Sequence, residues 1–210
     1  MTGEFLWKAA AAAAAFYVIG SIPFSYIIAR LSGKLDIREH GSGNVGATNV
    51  GRVIGFGYGI LAFALDASKG IISGGLAQVW GVPIWLAVLA PIGHNWSIFL
   101  KFTGGKGVAT TLGLLLIVSW QALLITAALW ILITLLAQYV SLASIISLLC
   151  APVAIYFFTR PRDEGVDWGS VILFAVLGLL STWKHRANIQ RLLSGQENKI
   201  FKKKQKLPSG

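Results

Sequence analysis

The stretch AAAAAAAFYVIGSIPFSYIIARL, residues 9–31, decides the class of fold to which this chain belongs. A helix that crosses a bilayer upright needs about 20 predominantly apolar residues, and this run reaches that length. It is too long for the apolar core of a signal peptide, and the basic segment that such a peptide carries does not precede it. We therefore predict that residues 9–31 form a retained membrane-spanning helix.

The composition extends this prediction to the whole chain. Of the 210 residues, 55% are hydrophobic and only 12% are charged, whereas a soluble domain carries roughly a quarter charged residues. The mean hydropathy is +0.70. The sequence therefore predicts an all-α, polytopic membrane protein with about seven transmembrane helices, at about residues 9–31, 53–79, 84–100, 107–119, 121–138, 141–159 and 168–183.

Two of these segments predict short or broken helices. The run 107–119 is short for a span, and 53–79 is interrupted by GFGYG, Asp66, Lys69 and SGG. Irregular backbone at membrane depth is tolerated only where it is buried in protein or lines a wet cavity. We therefore expect these two segments to lie inside the bundle.

The basic residues predict the orientation of the chain. If the N-terminus is outside and the segments alternate, only Lys8, Arg160 and Arg162 fall outside, and Lys69 lies within a span. By the positive-inside rule, the C-terminus is then cytoplasmic. The basic residues that fall on the cytoplasmic side are Arg30, Lys34, Arg38, Arg52, Lys101, Lys106, Lys184, Arg186, Arg191, Lys199, Lys202, Lys203, Lys204 and Lys206.

The balance of charge points to membrane lipid as a partner. The net charge of +10 and the eight tryptophans suit a protein that contacts anionic headgroups and anchors at the interface. Nucleic acid is excluded because the basic residues cluster in short loops beside apolar runs. Residues 1–199 are expected to form a single transmembrane domain, and residues 200–210 a basic polar tail.

Several common catalytic centres have no counterpart in the sequence. No serine lies in a G-x-S-x-G elbow, and no His-rich or Cys-rich cluster suggests a metal. The residues five positions after His40, His94 and His185 do not complete the His-x4-Asp pair of soluble-type acyltransferases. We expect neither a metal nor a cofactor. The single cysteine, Cys150, lies in an apolar run and is interpreted as a core or lipid-facing side chain.

Three polar loops fall on the predicted cytoplasmic side, and the first is HGSGNVGATNVGR, residues 40–52. It contains a formal G-x-G-x-x-G, but a dinucleotide site needs a preceding strand, and here a membrane helix precedes it. What remains is a glycine-rich loop with uncharged donors and Arg52, whose planar fork suits phosphate. The candidate phosphate contacts in this loop besides Arg52 are Ser42, Gly43, Asn44, Thr48 and Asn49.

The second loop is GGKGVATTLG, residues 104–113. A glycine-rich turn that runs into a helix is able to hold phosphate, because its N–H groups converge and the helix N-terminus favours negative charge. It is not a Walker loop, since the residue after Lys106 is glycine. The plain alternative is a tight turn that happens to carry a lysine. Upstream, Lys101 is expected to snorkel and His94 to form an interhelical hydrogen bond. The candidate residues of this loop are Gly104, Gly105, Lys106 and Gly107.

The third loop is TWKHRANIQRLLSGQENK, residues 182–199. Its basic residues are compatible with a simple stop-transfer cluster. His185 and Asn188, however, are spaced i, i+3, so on a helix they share one face and can reach one ligand. Arg191 and Glu197 are interpreted as a structural ion pair. Together, the three loops predict a site for more than one phosphate, with Arg52, Lys106 and His185 at one membrane face.

These motifs resemble those of the bacterial acyl-phosphate:glycerol-3-phosphate acyltransferases. The resemblance runs from about Gly20 to Lys199, through GSIPFSYIIAR, GSGNVGATNVGR, GHNWSIFLKFTGGKGVAT and HRANIQRLLSGQENK. It implies an enzyme of the bacterial cell membrane with a cytosolic active site. That enzyme would transfer a fatty acyl group from acyl-phosphate to glycerol 3-phosphate, giving 1-acyl-glycerol 3-phosphate in the first step of phospholipid synthesis.

The resemblance also implies roles for individual residues. Ser42 and Arg52 match the family's essential serine and arginine, and residues 104–107 match its glycine-rich phosphate motif. His185 and Asn188 match an essential pair, and Glu197 a structural glutamate. The implied partners are acyl-phosphate, glycerol 3-phosphate and a soluble enzyme that makes acyl-phosphate. The competing classes are a transporter for a phosphorylated solute or lipid, which the in-membrane pair Asp66/Lys69 would suit, and a structural membrane subunit.

Overall fold

The computed structural model describes residues 3–159 and 167–200, and within these ranges the secondary structure is helical. The predicted all-α class is therefore confirmed. The basic tail of residues 200–210 lies, apart from Ile200, outside the described residues, as do Arg160 and Arg162. The α-helices of the described residues are α1 (Gly3–Ser21), α2 (Phe24–Gly33), α3 (Ala47–Val53), α4 (Phe56–Val79), α5 (Leu89–Asn95), α6 (Val108–Val118), α7 (Trp120–Ala137), α8 (Val140–Phe158), α9 (Trp168–Lys184) and α10 (Arg186–Leu193).

Four helical segments are long and apolar enough to cross a membrane: Gly3–Gly33, Phe56–Val79, Trp120–Ala137 and Val140–Phe158. Three shorter apolar segments accompany them, at Ile84–Asn95, Val108–Val118 and Trp168–Lys184. All seven predicted segments thus have a helical counterpart. The number that cross the bilayer, and the orientation of the termini, stay predictions.

The first predicted span is interrupted at Pro23. Helix α1 ends at Ser21 and α2 begins at Phe24. Proline disfavours helical backbone at the residue before it and has no N–H to donate, so the chain turns here. Residues 9–31 nevertheless lie within the candidate span Gly3–Gly33, as predicted.

The segment 53–79 was expected to be interrupted, but its helix α4 is continuous over 24 residues. The predicted interruptions are absorbed by packing. Asp66 and Lys69 neutralise each other one turn apart, with the ammonium 2.7 Å from the carboxylate. Gly70 lies against the backbone of α6, where a Cβ would be 2.0 Å from the Thr110 carbonyl oxygen. Gly70 and Gly74 therefore allow close contact with α6.

The segment 84–100 is divided into three short pieces. A 3₁₀ turn (Ile84–Val88) precedes α5, and a second one (Ile98–Leu100) follows it. Helix α5 crosses α1 closely, since a Cβ at Gly20 would lie 2.1 Å from the Ala90 carbonyl oxygen. This packing fixes the C-terminal end of α5, on which the second polar loop lies.

Candidate active site

The first loop is organised by the side chain of Asn49, the third residue of α3. Asn49 is buried, and its Nδ2 donates to the carbonyl oxygens of Ile37, His40 and Asn44 at 3.2, 2.9 and 3.1 Å. Its Oδ1 accepts the Ser42 N–H at 2.9 Å. Because both polar atoms of this side chain have protein partners, Asn49 shapes the loop from below. This differs from its predicted place among the phosphate contacts.

The shaped loop presents its other polar residues outward. Ser42, Gly43 and Thr48 are exposed, and Asn44 is half-buried. Gly43 has a φ of +69°, a left-handed conformation that favours glycine. Arg52 is also an exposed residue, and its partly buried guanidinium makes one long hydrogen bond of 3.4 Å to Asn49 Oδ1. Arg52 is therefore available to a ligand.

The second loop is seated on the end of α5. The Gly105 N–H donates to the His94 carbonyl oxygen at 3.1 Å, so this amide has a protein partner. A Cβ at Gly104 would lie 2.2 Å from the same oxygen, and one at Gly105 would lie 2.1 Å from His94 Nε2. Close approach to α5 explains these two glycines. Gly107 has a φ of +75° and turns the chain into α6.

Lys106 stands between these glycines, next to the N-terminus of α6. The first N–H groups of an α-helix have no intrahelical partner and favour negative charge. The Lys106 ammonium donates to Asn188 Oδ1, 82 positions along the chain. This contact joins the second loop to the third.

The third loop follows the end of α9. His185 is buried, and its Nδ1 lies 2.8 Å from the Ser181 carbonyl oxygen. A carbonyl only accepts, so Nδ1 carries the proton and Nε2 keeps its lone pair. Asn188 is also buried, on α10. Both members of the i, i+3 pair are therefore buried, with His185 at the junction of α9 and α10 and Asn188 on α10.

Glu197 holds the third loop together. Its carboxylate accepts hydrogen bonds from Asn188 Nδ2 at 2.7 Å, Arg191 Nε at 2.8 Å and Ser141 Oγ at 3.0 Å. The predicted structural ion pair between Arg191 and Glu197 is confirmed. The carboxylate also fixes the Asn188 amide, so that its oxygen faces Lys106.

Burial and neighbouring charges set the protonation states of the two central groups. Burial lowers the pKa of Lys106 to about 8, with Glu197 opposing this shift and Arg191, Lys184 and Arg52 adding to it. Burial, with the nearby charge of Lys106, lowers the pKa of His185 to about 4. At neutral pH the site therefore combines a cationic lysine with a neutral histidine.

Two site residues were not expected from the sequence. Ser141, at the start of α8, donates to Glu197. Asn95, at the end of α5, accepts the Lys184 ammonium on its carbonyl oxygen at 2.9 Å, and a Cβ at Gly107 would lie 3.0 Å from its side chain. Only the position of Asn95 beside His94 hinted at such a role. Among the described residues, no group of three or more His, Cys, Asp or Glu side chains is placed to hold a metal.

The fold and this site define a class: a polytopic membrane protein in which three loops bring cations and a neutral histidine together at one end of the bundle. The chain belongs to the glycerol-3-phosphate acyltransferase family, whose profile matches residues 10–195. It is an acyltransferase of lipid biosynthesis.

Individual relatives agree with this assignment over most of their length. A glycerol-3-phosphate acyltransferase of Desulforudis audaxviator is 44% identical over 187 residues, which cover 88% of this chain and 91% of that protein. Glycerol-3-phosphate acyltransferase 2 of Moorella thermoacetica is 42% identical over 187 residues, with coverage of 88% and 93%.

Solved structures show the same fold. The chain is similar to a crystal structure of PlsY (YgiH), an integral membrane glycerol 3-phosphate acyltransferase, in its glycerol 3-phosphate form. The TM-score is 0.80 and the identity 38%, with 94% of this chain and 96% of that chain covered. A crystal structure of PlsY in its lysophosphatidic acid form gives a TM-score of 0.78 and 37% identity, with 94% of this chain and 95% of that chain covered.

Proposed function

We propose that this protein transfers a fatty acyl group from acyl-phosphate to glycerol 3-phosphate, giving 1-acyl-glycerol 3-phosphate and inorganic phosphate. The observation that supports this best is the contact of Lys106 with Asn188, which unites the second and third loops beside Arg52. Two phosphate-bearing substrates need such a set of cations from separate loops, because their own charges repel each other.

The acceptor and the product of the proposed reaction are supported by the solved relatives. PlsY is described in a glycerol 3-phosphate form and in a lysophosphatidic acid form. The acyl-phosphate donor is supported by the motifs and by the chemistry. A mixed anhydride carries a good leaving group, so the reaction requires no covalent nucleophile from the protein.

The proposed step is a direct displacement. The glycerol hydroxyl oxygen attacks the acyl carbonyl carbon, and the bond between that carbon and the phosphate oxygen breaks. The electron pair leaves with phosphate, and the hydroxyl proton passes to a phosphate oxygen. Arg52, Lys106 and the N-terminus of α6 stabilise the phosphate charge, and Ser42, Gly43, Asn44 and Thr48 add contacts from the first loop.

His185 orients the acceptor in this scheme. Its pKa of about 4 makes it a weaker base than a phosphate, whose second pKa is near 6. The phosphate is therefore the better proton acceptor. The neutral ring, held through Nδ1 by Ser181, instead offers Nε2 as an acceptor to the neighbouring hydroxyl of glycerol 3-phosphate, which does not react.

We place the reaction at the cytoplasmic face of a bacterial cell membrane. The positive-inside distribution of basic residues puts all three loops on that side, where glycerol 3-phosphate and a soluble enzyme that makes acyl-phosphate are accessible. The acylated product enters the surrounding membrane lipid.

The test is a turnover assay on the purified protein in detergent. Palmitoyl-phosphate with glycerol 3-phosphate should give palmitoyl-glycerol 3-phosphate and one equivalent of inorganic phosphate, measured by mass spectrometry and phosphate release. Palmitoyl-CoA should give no product under the same conditions, because the loops offer contacts for a terminal phosphate. Comparable rates with palmitoyl-CoA, or no product from either donor, would contradict the proposal.

A further inference from the structure

A buried polar network lies beneath the active-site loops, in the spanning part of the bundle. Its members are Ser25 on α2, Asp66 and Lys69 on α4, and His94 on α5, and all four are buried. Charged side chains at such positions are costly and mark function more often than stability. None of these side chains is among the proposed substrate contacts of the active site.

The Lys69 ammonium is the centre of this network. It lies 2.7 Å from Asp66 Oδ1 and 3.3 Å from His94 Nδ1. The distance from His94 Nδ1 to Asp66 Oδ1 is 3.5 Å, which is too long for a good hydrogen bond. An ammonium only donates, so Lys69 donates to His94 Nδ1, whereas it meets Asp66 Oδ1 as an ion pair and that oxygen has no hydrogen-bond partner. Ser25 Oγ donates to Asp66 Oδ2 at 3.0 Å and ties α2 to the same group.

This arrangement fixes the ring of His94. Since Nδ1 accepts from the ammonium, the ring carries its proton on Nε2. That edge of the ring faces the second loop, because a Cβ at Gly105 would lie 2.1 Å from Nε2 and 2.7 Å from the Val45 carbonyl oxygen. The imidazole is therefore the layer between the buried ion pair and the residue that precedes Lys106.

The backbone reinforces the same connection. The His94 carbonyl oxygen accepts the Gly105 N–H, and Thr110 Oγ1, on the first turn of α6, donates to the Asp66 carbonyl oxygen at 2.9 Å. The loop that carries Lys106 is thus held at both ends by the residues of the network. Val45 belongs to the first loop, so the same ring also lies next to the loop that carries Arg52.

A purely stabilising role does not explain these charges. A buried ion pair is often no more stabilising than apolar side chains of similar volume, because removing both charges from water costs as much as their attraction returns. Two apolar side chains in place of Asp66 and Lys69 would offer no donor to His94 Nδ1. The orientation of the His94 ring would then not be fixed.

We propose that the Asp66–Lys69–His94 network positions the second loop: Lys69 orients the imidazole of His94, and that ring sets the place of Gly105 and hence the direction of the Lys106 ammonium. These three are positioning residues, since they act on the substrate phosphate through Lys106. The inference rests on the proposed function only for its kinetic test.

The first experiment removes both charges at once. In the double variant Asp66→Val/Lys69→Met, no unpaired charge is left inside the bundle, and the Ser25 hydroxyl can bond to a carbonyl of its own helix. We expect a Tm in detergent equal to or above that of the wild type, and a kcat/KM lowered about 10- to 100-fold by the displaced loop. A folded double variant with wild-type kcat/KM would overturn the proposal.

The matched control is Thr126→Val, which removes a buried hydroxyl from α7. It should leave kcat/KM unchanged. A loss at Thr126 equal to that of the double variant would show a general response to altered packing and would also count against the proposal.

A second pair of variants separates the two edges of the imidazole. His94→Gln places a polar nitrogen near Nε2, and His94→Asn places a polar atom near Nδ1. If the Nε2 edge of the ring supports Gly105, the His94→Gln variant should retain more of the wild-type activity than the His94→Asn variant. The reverse order would mean that pairing with Lys69 is the whole role of His94. This comparison decides the matter even where the double variant does not fold.

A third measurement does not depend on turnover. The pKa of Lys106 can be followed by its labelling with an amine-reactive reagent against pH, read by mass spectrometry. We expect about 8 in the wild type, and a value nearer that of a free lysine in the double variant, because a displaced loop exposes the ammonium. An unchanged pKa would overturn the proposal. If the wild type shows this pKa but does not turn over acyl-phosphate, the proposed function fails while the positioning role stands.

Discussion

Replacing Lys106 by methionine separates the contribution of this residue to activity from its contribution to stability. Methionine keeps an unbranched stem of similar length between the glycines and removes only the ammonium. The ammonium has one protein hydrogen bond, to Asn188 Oδ1. The substitution therefore leaves one buried acceptor without that donor and opens no large cavity.

The expected loss of activity follows from one charge-assisted contact. Such a contact to phosphate contributes about 2–3 kcal/mol in a partly desolvated site. Lys106→Met should therefore lower kcat/KM by about 30- to 150-fold.

The expected change in stability has the opposite sign. Burial lowers the pKa of Lys106 from 10.5 to about 8, and each unit corresponds to about 1.4 kcal/mol. The charged form thus costs the folded state about 3 kcal/mol at pH 7, against about 1–2 kcal/mol for the lost hydrogen bond. The methionine variant should be more stable by about 1–2 kcal/mol.

The pH dependence gives this prediction a second check. Between pH 8 and 10.5 the unfolded wild-type chain binds more protons than the folded chain, so wild-type stability rises with pH over that window. The advantage of the variant is complete below pH 8 and should disappear towards pH 10.5. Thermal unfolding in detergent at pH 7 and pH 10, with initial rates at pH 7, measures all three quantities. An active variant, or one that is less stable at pH 7 than at pH 10 relative to wild type, would refute the reasoning.

Three further outcomes follow from the site. Arg52→Ala should lower kcat/KM at least about tenfold at unchanged Tm, because the guanidinium makes only one long protein hydrogen bond; matched initial rates and melting curves test this. His185→Ala and Asn188→Ala should each lower kcat/KM for glycerol 3-phosphate strongly, whereas Arg186→Ala, which loses only a stack on an indole ring, should not; equal losses at all three would favour a basic anchor. Turnover should decline as the pH rises above about 8 because Lys106 loses its proton, and a pH–rate profile of Lys106→Arg should lack that decline.

The class of fold was predictable because it depends on composition and on the length of apolar runs. The details that were missed depend on contacts between distant residues. The continuity of α4 follows from the pairing of Asp66 with Lys69 and from the fit of Gly70 against α6. A glycine or a charge in an apolar run predicts an interruption until its partner is known. The interruption between α1 and α2, by contrast, is a local effect of Pro23 and can be predicted from the sequence alone.

The same distinction holds at the active site. The pairing of Arg191 with Glu197 is a local pattern that the structure confirms, and both His185 and Asn188, which are spaced i, i+3, are buried. The partners of Lys106 and of Lys184 lie 82 and 89 positions away along the chain. Nothing in the local sequence of Ser141 indicates its contact with Glu197, and for Asn95 the only hint is its position beside His94. In the sequence, Asn49 looks like a phosphate contact because it lies among other donors. In the structure it is buried, and its side chain bonds to the backbone of the first loop.

The glycines of the second loop show how one residue type serves two purposes. Gly104 and Gly105 are required by their close approach to His94, and Gly107 by its left-handed φ of +75°. Their absence of side chains lets the loop lie directly on α5. It also leaves Lys106 as the only side chain in that stretch that can reach a substrate.

The charges around Lys106 explain why, in our proposal, this loop is held from below. Around Lys106, the charges of Arg52, Lys184 and Arg191 all oppose its protonation, and only Glu197 favours it. Glu197 is already engaged by three donors, so it offsets part of this repulsion and no more. A flexible loop would relieve the rest by moving Lys106 into water. In our proposal, the contact of the loop with His94 prevents that movement and keeps the positive charges in place. In the proposed reaction, the binding of two phosphate-bearing substrates then relieves the repulsion that the folded protein retains.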